Sequence, residues 1–78
     1  MRDESNQFGK RLKAIRLERT LTQEQFAELV GISVDFLSLI ERGINAPSFE
    51  VLEKMSVGLR LPVRTLFEFS RVPPKPPR

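Results

Sequence analysis

Cysteine and histidine are both absent from this chain, which removes thiolate chemistry, the usual general base and the usual zinc ligand together. What remains is 10 carboxylates, 13 Lys or Arg side chains and scattered hydroxyls and amides. No metal-ligand cluster or phosphate-cradling glycine loop organises them, so neither an enzyme, a cofactor nor a metal is expected. The chemistry left is recognition by hydrogen bonds and charge. The stretch Ser33–Gly43, SVDFLSLIERG, frames the question, because before Arg42 its polar groups are only Ser33, Asp35, Ser38 and Glu41. Asp35 can only accept hydrogen bonds, whereas the two hydroxyls can donate or accept.

A helix must position those groups, and the sequence supplies its boundaries. Ser33 is a natural N-cap, with Ile32 and Leu37 placed as a hydrophobic staple, and Gly43 ends the segment. Upstream, LTQEQF predicts another start: Thr22 caps, Gln25 completes a capping box and Leu21 staples against Phe26. That second helix carries Phe26, Ala27 and Val30 inward and must stop at Gly31, which enters the left-handed region cheaply. Two short helices joined by a tight glycine turn form a helix-turn-helix signature. Phe8, Leu12 and Ile15 mark a first helix over roughly residues 6–19. Phe49, Leu52, Met55 and Leu59 mark a fourth over roughly 48–59, after Pro47 and the capping Ser48. Pro62 suits the first turn of a fifth, PVRTLFEF.

A chain of 78 residues with 40% hydrophobic and 29% charged residues is one small globular domain rather than a disordered segment. The helical domain is expected over residues 1–69. Residues 70–78 have four prolines among their last six, which predicts an extended tail in polyproline geometry. No apolar run approaches the roughly 20 residues needed to cross a bilayer, and the opening MRDESNQFGKR has no apolar stretch, so a cytoplasmic location without a membrane partner is expected. Charge is unevenly spread: residues 1–20 carry net +3, residues 21–58 net −4 and residues 59–78 net +4.

Thr22-Gln23, Ala27, Gly31, "GIS", "IERG" and "PS", at their spacing in LTQEQFAELVGISVDFLSLIERGINAPSFEVLEKM, resemble the Cro and cI type of helix-turn-helix domain, the phage-repressor-like XRE family. The resemblance covers roughly residues 8–67. It implies an all-α, five-helix lambda-repressor-like domain with double-stranded operator DNA as partner, acting as a homodimer, similar to restriction-modification controller proteins or small phage repressors. It further implies a phosphate contact for Gln23, backbone contacts for Arg42 and the loop to Ser48 with Arg11 or Lys10 in addition, and an ion pair between Arg16 and Glu41. Two residues depart from the pattern. Gly58 stands where Ala is usual, weakening the fourth helix by roughly 1 kcal/mol, and Arg60 stands where Gly usually ends it.

Docked in the usual way, the helix at 33–41 enters the major groove with its first turn. A 100° step per residue puts Leu37 and Ile40 inward and Asp35, Ser38 and Leu39 outward, with Val34 and Phe36 flanking. The expected base-reading set is therefore Ser33, Val34, Asp35, Ser38 and Leu39: Asp35 toward a cytosine amine, the hydroxyls toward several edges, Val34 and Leu39 toward thymine methyls. Leu66, Phe67 and Phe69, with Val72, supply apolar surface for a dimer interface. The alternative from another class is a protein–protein adaptor retaining this fold, favoured by the acidic middle and by the apolar Val34, Phe36 and Leu39.

Overall fold

The computed structural model describes residues 4–68, with side chains from Gln7 onward; Phe69, Val72 and the proline-rich segment lie outside the described residues. Four α-helices follow one another, α1 Glu4–Glu18, α2 Gln23–Val30, α3 Val34–Glu41 and α4 Phe49–Leu59, before a 3-10 helix at Val63–Phe67. No strand occurs among the described residues, and no helix there is long and apolar enough to cross a membrane.

The N-termini are built as the sequence predicts. Thr22 Oγ1 accepts from the Gln25 amide at 3.0 Å while Gln25 Oε1 accepts from the Thr22 amide at 2.9 Å, a complete capping box. Ser33 and Ser48 cap α3 and α4, accepting from the amides of Phe36 and Val51 at 3.0 and 3.2 Å. The fifth element differs from expectation. Pro62 precedes it rather than opening it, and the Thr65 amide donates to the Pro62 carbonyl at 2.9 Å, so the segment winds with three-residue bonds. It is 5 residues long, and such short pieces do not sustain an α-helical ladder.

All four α-helices end alike. Leu21, Ile32, Ile44 and Leu61 each donate an amide to the carbonyl five residues back, on Arg16, Ala27, Leu39 and Ser56. The residue before each of them is left-handed: Thr20 (φ 55°), Gly31 (92°), Gly43 (79°) and Arg60 (59°). This is the Schellman closure, in which an apolar residue follows the left-handed one. Arg60 therefore reproduces the turn that a glycine would make, with its side chain crowding the backbone.

Phe8, Leu12, Ile15, Phe26, Ala27, Val30, Leu37, Ile40, Met55, Leu59 and Leu66 form the buried core. Phe49, expected inside α4, occupies its first position and is 71% exposed. Two glycines sit where helices touch backbone to backbone. A Cβ on Gly9 would lie 2.7 Å from the Glu41 carbonyl oxygen and closer still to that of Ile40. One on Gly58 would lie 2.8 Å from the Leu29 carbonyl oxygen and 3.2 Å from the Val30 Cα. Gly58 is thus the contact point of α4 with the end of α2, not merely a weak helix residue.

These two positions at the C-terminal end of α4 predict opposite responses. Gly58→Ala gains about 1 kcal/mol of helix propensity, but overpacking against backbone costs about 1–3 kcal/mol, so a net loss is expected. Arg60→Gly relieves a left-handed side chain and should stabilise by roughly 0.5–1 kcal/mol. Urea denaturation midpoints measure both, and a stabilised Gly58→Ala would show that the α2–α4 approach can relax.

Candidate nucleic-acid interface

α3 is held at both ends, which fixes what it can present. At its start, the three-residue turn Gly31–Ile32–Ser33 leads straight from α2 into the Ser33 cap. At its end, Glu41 is 8% exposed and bound by Arg16 of α1, itself 8% exposed. Arg16 Nε donates to Glu41 Oε2 at 2.7 Å and Nη2 donates to Oε1 at 3.2 Å. Arg16 Nη1 donates to the Leu21 carbonyl at 2.9 Å, and Gln23 Nε2 donates to Glu41 Oε1 at 3.0 Å. One bidentate pair thereby ties the end of α1, the link to α2, the first residue of α2 and the last of α3. No buried side-chain nitrogen or oxygen among the described residues lacks a partner.

Between those anchors Leu37 and Ile40 are fully buried, and the outward residues divide by exposure. Ser33 and Asp35 are exposed, while Ser38 and Leu39 are half-buried. Val34 and Phe36 pack against the core and are also half-buried, so Val34 has less surface to offer a thymine methyl than the sequence implies. Ser33 Oγ already accepts from the Phe36 amide, which leaves its hydroxyl hydrogen free to donate. The exposed first turn of α3 thus carries one available donor and one anionic acceptor.

The flanking positions separate into available and committed groups. Arg42, which caps α3, Lys10 on α1 and Ser48 before α4 are exposed. Ser48 Oγ accepts from Val51 and keeps its own hydrogen. Gln23 donates one side-chain amide hydrogen to Glu41 and keeps the second, beside the Gln23 and Glu24 main-chain amides, which have no carbonyl within the helix to serve. Arg11 is engaged within the fold: its Nε donates to the Thr65 carbonyl at 3.2 Å and its Nη2 lies 4.0 Å from Glu68, so it fastens the 3-10 helix to α1.

Leu66 is a correction, because it is fully buried among core residues and unavailable to a dimer interface. Phe67 is 43% exposed with its ring 5.1 Å from that of Phe8. Gly9, which sequence reasoning passed over, sets how close α1 comes to the end of α3. The signal was its spacing: Gly9, Leu12 and Arg16 fall three and four residues apart on the face turned to α3.

A helix-turn-helix family, HTH_3, matches residues 12–66. The chain is 43% identical over 58 residues to the immunity repressor protein of Bacillus phage phi105, covering 74% of this chain and 40% of the repressor. It is 40% identical over 68 residues to the control protein C.MunI of a Mycoplasma species, covering 86% of this chain and 92% of that protein. The fold is similar to the crystal structure of the restriction-modification controller protein C.AhdI from Aeromonas hydrophila, with a TM-score of 0.77, 32% identity, and 81% and 96% of the two chains covered.

The buried pair predicts a strongly non-additive double-mutant cycle. Glu41→Leu alone leaves a buried guanidinium without its carboxylate and Arg16→Met alone leaves a buried carboxylate without its guanidinium, each costing about 3–5 kcal/mol, whereas the two changes together should cost far less. Chemical denaturation of the three variants reads this directly. Additive losses would show that the pair is not a coupled unit.

Proposed function

The chain belongs to the HTH_3 helix-turn-helix family, whose similar members include named transcriptional regulators and repressors, and from that premise we propose that it is a sequence-specific DNA-binding regulator acting in the cytoplasm as a homodimer. The observation that carries this reading is α3 itself. It is locked at one end by the Ser33 cap and at the other by Glu41, with Ser33 and Asp35 exposed on its first turn. A helix so held can enter a major groove in one register. Exposed Arg42, Lys10 and Ser48 and the first amides of α2 would hold the phosphates and set that register without reading sequence. In a two-fold dimer the paired α3 helices would sit about 34 Å apart, one turn of DNA.

Base reading would be narrow. Asp35 accepts from a cytosine amine, Ser33 donates to an acceptor such as a guanine or thymine oxygen, and Leu39 rests on a thymine methyl. The arginine-to-guanine contact has no residue on this helix. Part of the preference would then come from how easily the DNA between half-sites deforms.

Titration onto duplex DNA at several salt concentrations tests the whole reading. Arg42 and Lys10 from two protomers, neutralising about four phosphates, predict a slope of log affinity against log salt of about −3.6. Absence of binding at low salt would assign the fold to a protein–protein adaptor instead. Asp35→Ala should erase a preference of roughly 1–3 kcal/mol at one base pair while leaving nonspecific affinity equal or higher. Selection from a random DNA library that returned the same motif for both proteins would remove Asp35 from the reading set.

A further inference from the structure

A groove of about 490 Å³ runs between the end of α2 and the outer face of α4, opposite the core side of that helix. Leu29 and Val57 flank it, 47% and 77% exposed, and Gly58 forms its floor. Glu50, Glu53 and Lys54 stand on its rim, all exposed, and neither carboxylate has an ion-pair partner among the described residues. No residue placed in the DNA-facing set lines it, so the groove is unaccounted for by the regulator reading.

We propose that the groove binds this chain's own C-terminal segment, Phe69–Arg78. Three observations select that occupant. The first is charge: the segment carries Arg71, Lys75 and Arg78 and no acid, while the groove's charged lining is Glu50 and Glu53 against the single cation Lys54. The second is shape. In polyproline geometry, three residues per turn, Pro73 and Pro76 form one ridge, Pro74 and Pro77 a second, and Val72, Lys75 and Arg78 a third. Two apolar ridges fill a groove walled by Leu29 and Val57, and the third brings its cations to the rim beside Glu50 and Glu53. The third is reach. The segment follows Glu68, just after the 3-10 helix that packs on α4, and its ten residues extend about 31 Å at about 3.1 Å each. Docking there hides an exposed apolar strip and occupies cations that would otherwise be open to phosphates.

The absence of cysteine makes the test clean. A nitroxide on Lys54→Cys in the full-length, nitrogen-15-labelled chain sits on the groove rim. The amides of Val72, Lys75 and Arg78 should lose most of their intensity relative to the reduced label, equally in dilute and concentrated samples. Adding Glu50→Lys and Glu53→Lys should restore them while the spectrum of the helical core stays unchanged, and high salt should act in the same direction. Tail amides that keep full intensity would overturn the proposal. So would the same loss appearing in label-free nitrogen-15 chains mixed with spin-labelled chains, which would mean a second copy fills the groove.

Discussion

The buried contact between Arg16 and Glu41 is the constraint on which the rest of the structure turns. Two opposite charges are each 8% exposed, and taking such groups out of water costs several kcal/mol apiece, repaid only if geometry is good and the remaining donors and acceptors are satisfied. Both conditions hold, because the guanidinium meets the carboxylate with two nitrogens and its third contact is the Leu21 carbonyl, while Gln23 adds a further donor to Glu41. A hydrophobic pair could fill the same space with similar stability, but it could not fix direction. What the ion pair supplies is a single arrangement of α1, α2 and α3, and Gly9 allows it by letting α1 close onto the carbonyls at the end of α3.

Away from that pair, the fold is assembled by one repeated device. Each helix stops with a left-handed residue and an apolar residue that returns to the carbonyl five back. In Leu21-Thr22 and Ile32-Ser33 the apolar residue is followed at once by the cap of the next helix. Stop, anchor and start therefore take only three residues, which is why α2 and α3, at 8 residues each, can still bury Phe26, Ala27, Val30, Leu37 and Ile40. Leu21, Ile32 and Leu61 pack on the core, whereas Ile44 is 57% exposed, and there the chain runs on through a loop before Ser48.

Local features of this device were legible in the sequence because they depend on neighbours in the chain. Thr22 with Gln25, Gly31 and Ser33 announce their roles within a few residues. The Arg16–Glu41 pairing, 25 residues apart, was accessible only through the family resemblance, since nothing in either helix alone points across the interface. Leu66 was misplaced for a related reason: counting apolar residues says how many there are, not which hole each one fills. Gly58 was read by propensity as a weakness, but the Leu29 carbonyl lying against it is a tertiary fact. Arg11 looked like a free cation because its acceptor, the Thr65 main chain, carries no signature in the side-chain sequence. The candidate reading face fared in between, since helical phase placed Asp35 outward correctly but could not show how far Val34 leans into the core.

The poverty of donors on α3 changes what that helix does in the proposed docking. A helix rich in arginine gains affinity on any DNA, because every phosphate rewards it, and discrimination must then be won against a high background. Asp35 works in the other direction: it loses energy near phosphates and near base-edge acceptors, and recovers it only beside an amine such as that of cytosine. Attraction is left to groups outside the first turn, chiefly Arg42, Lys10 and the α2 amides, which cannot tell one sequence from another. Positioning and rejection are then carried by different residues, so specificity arises from disfavouring wrong registers more than from tightening the right one. That division requires α3 to be immobile, because an acid that could swing aside would reject nothing. The buried pair at Glu41 meets that requirement, at the far end of the same two-turn helix.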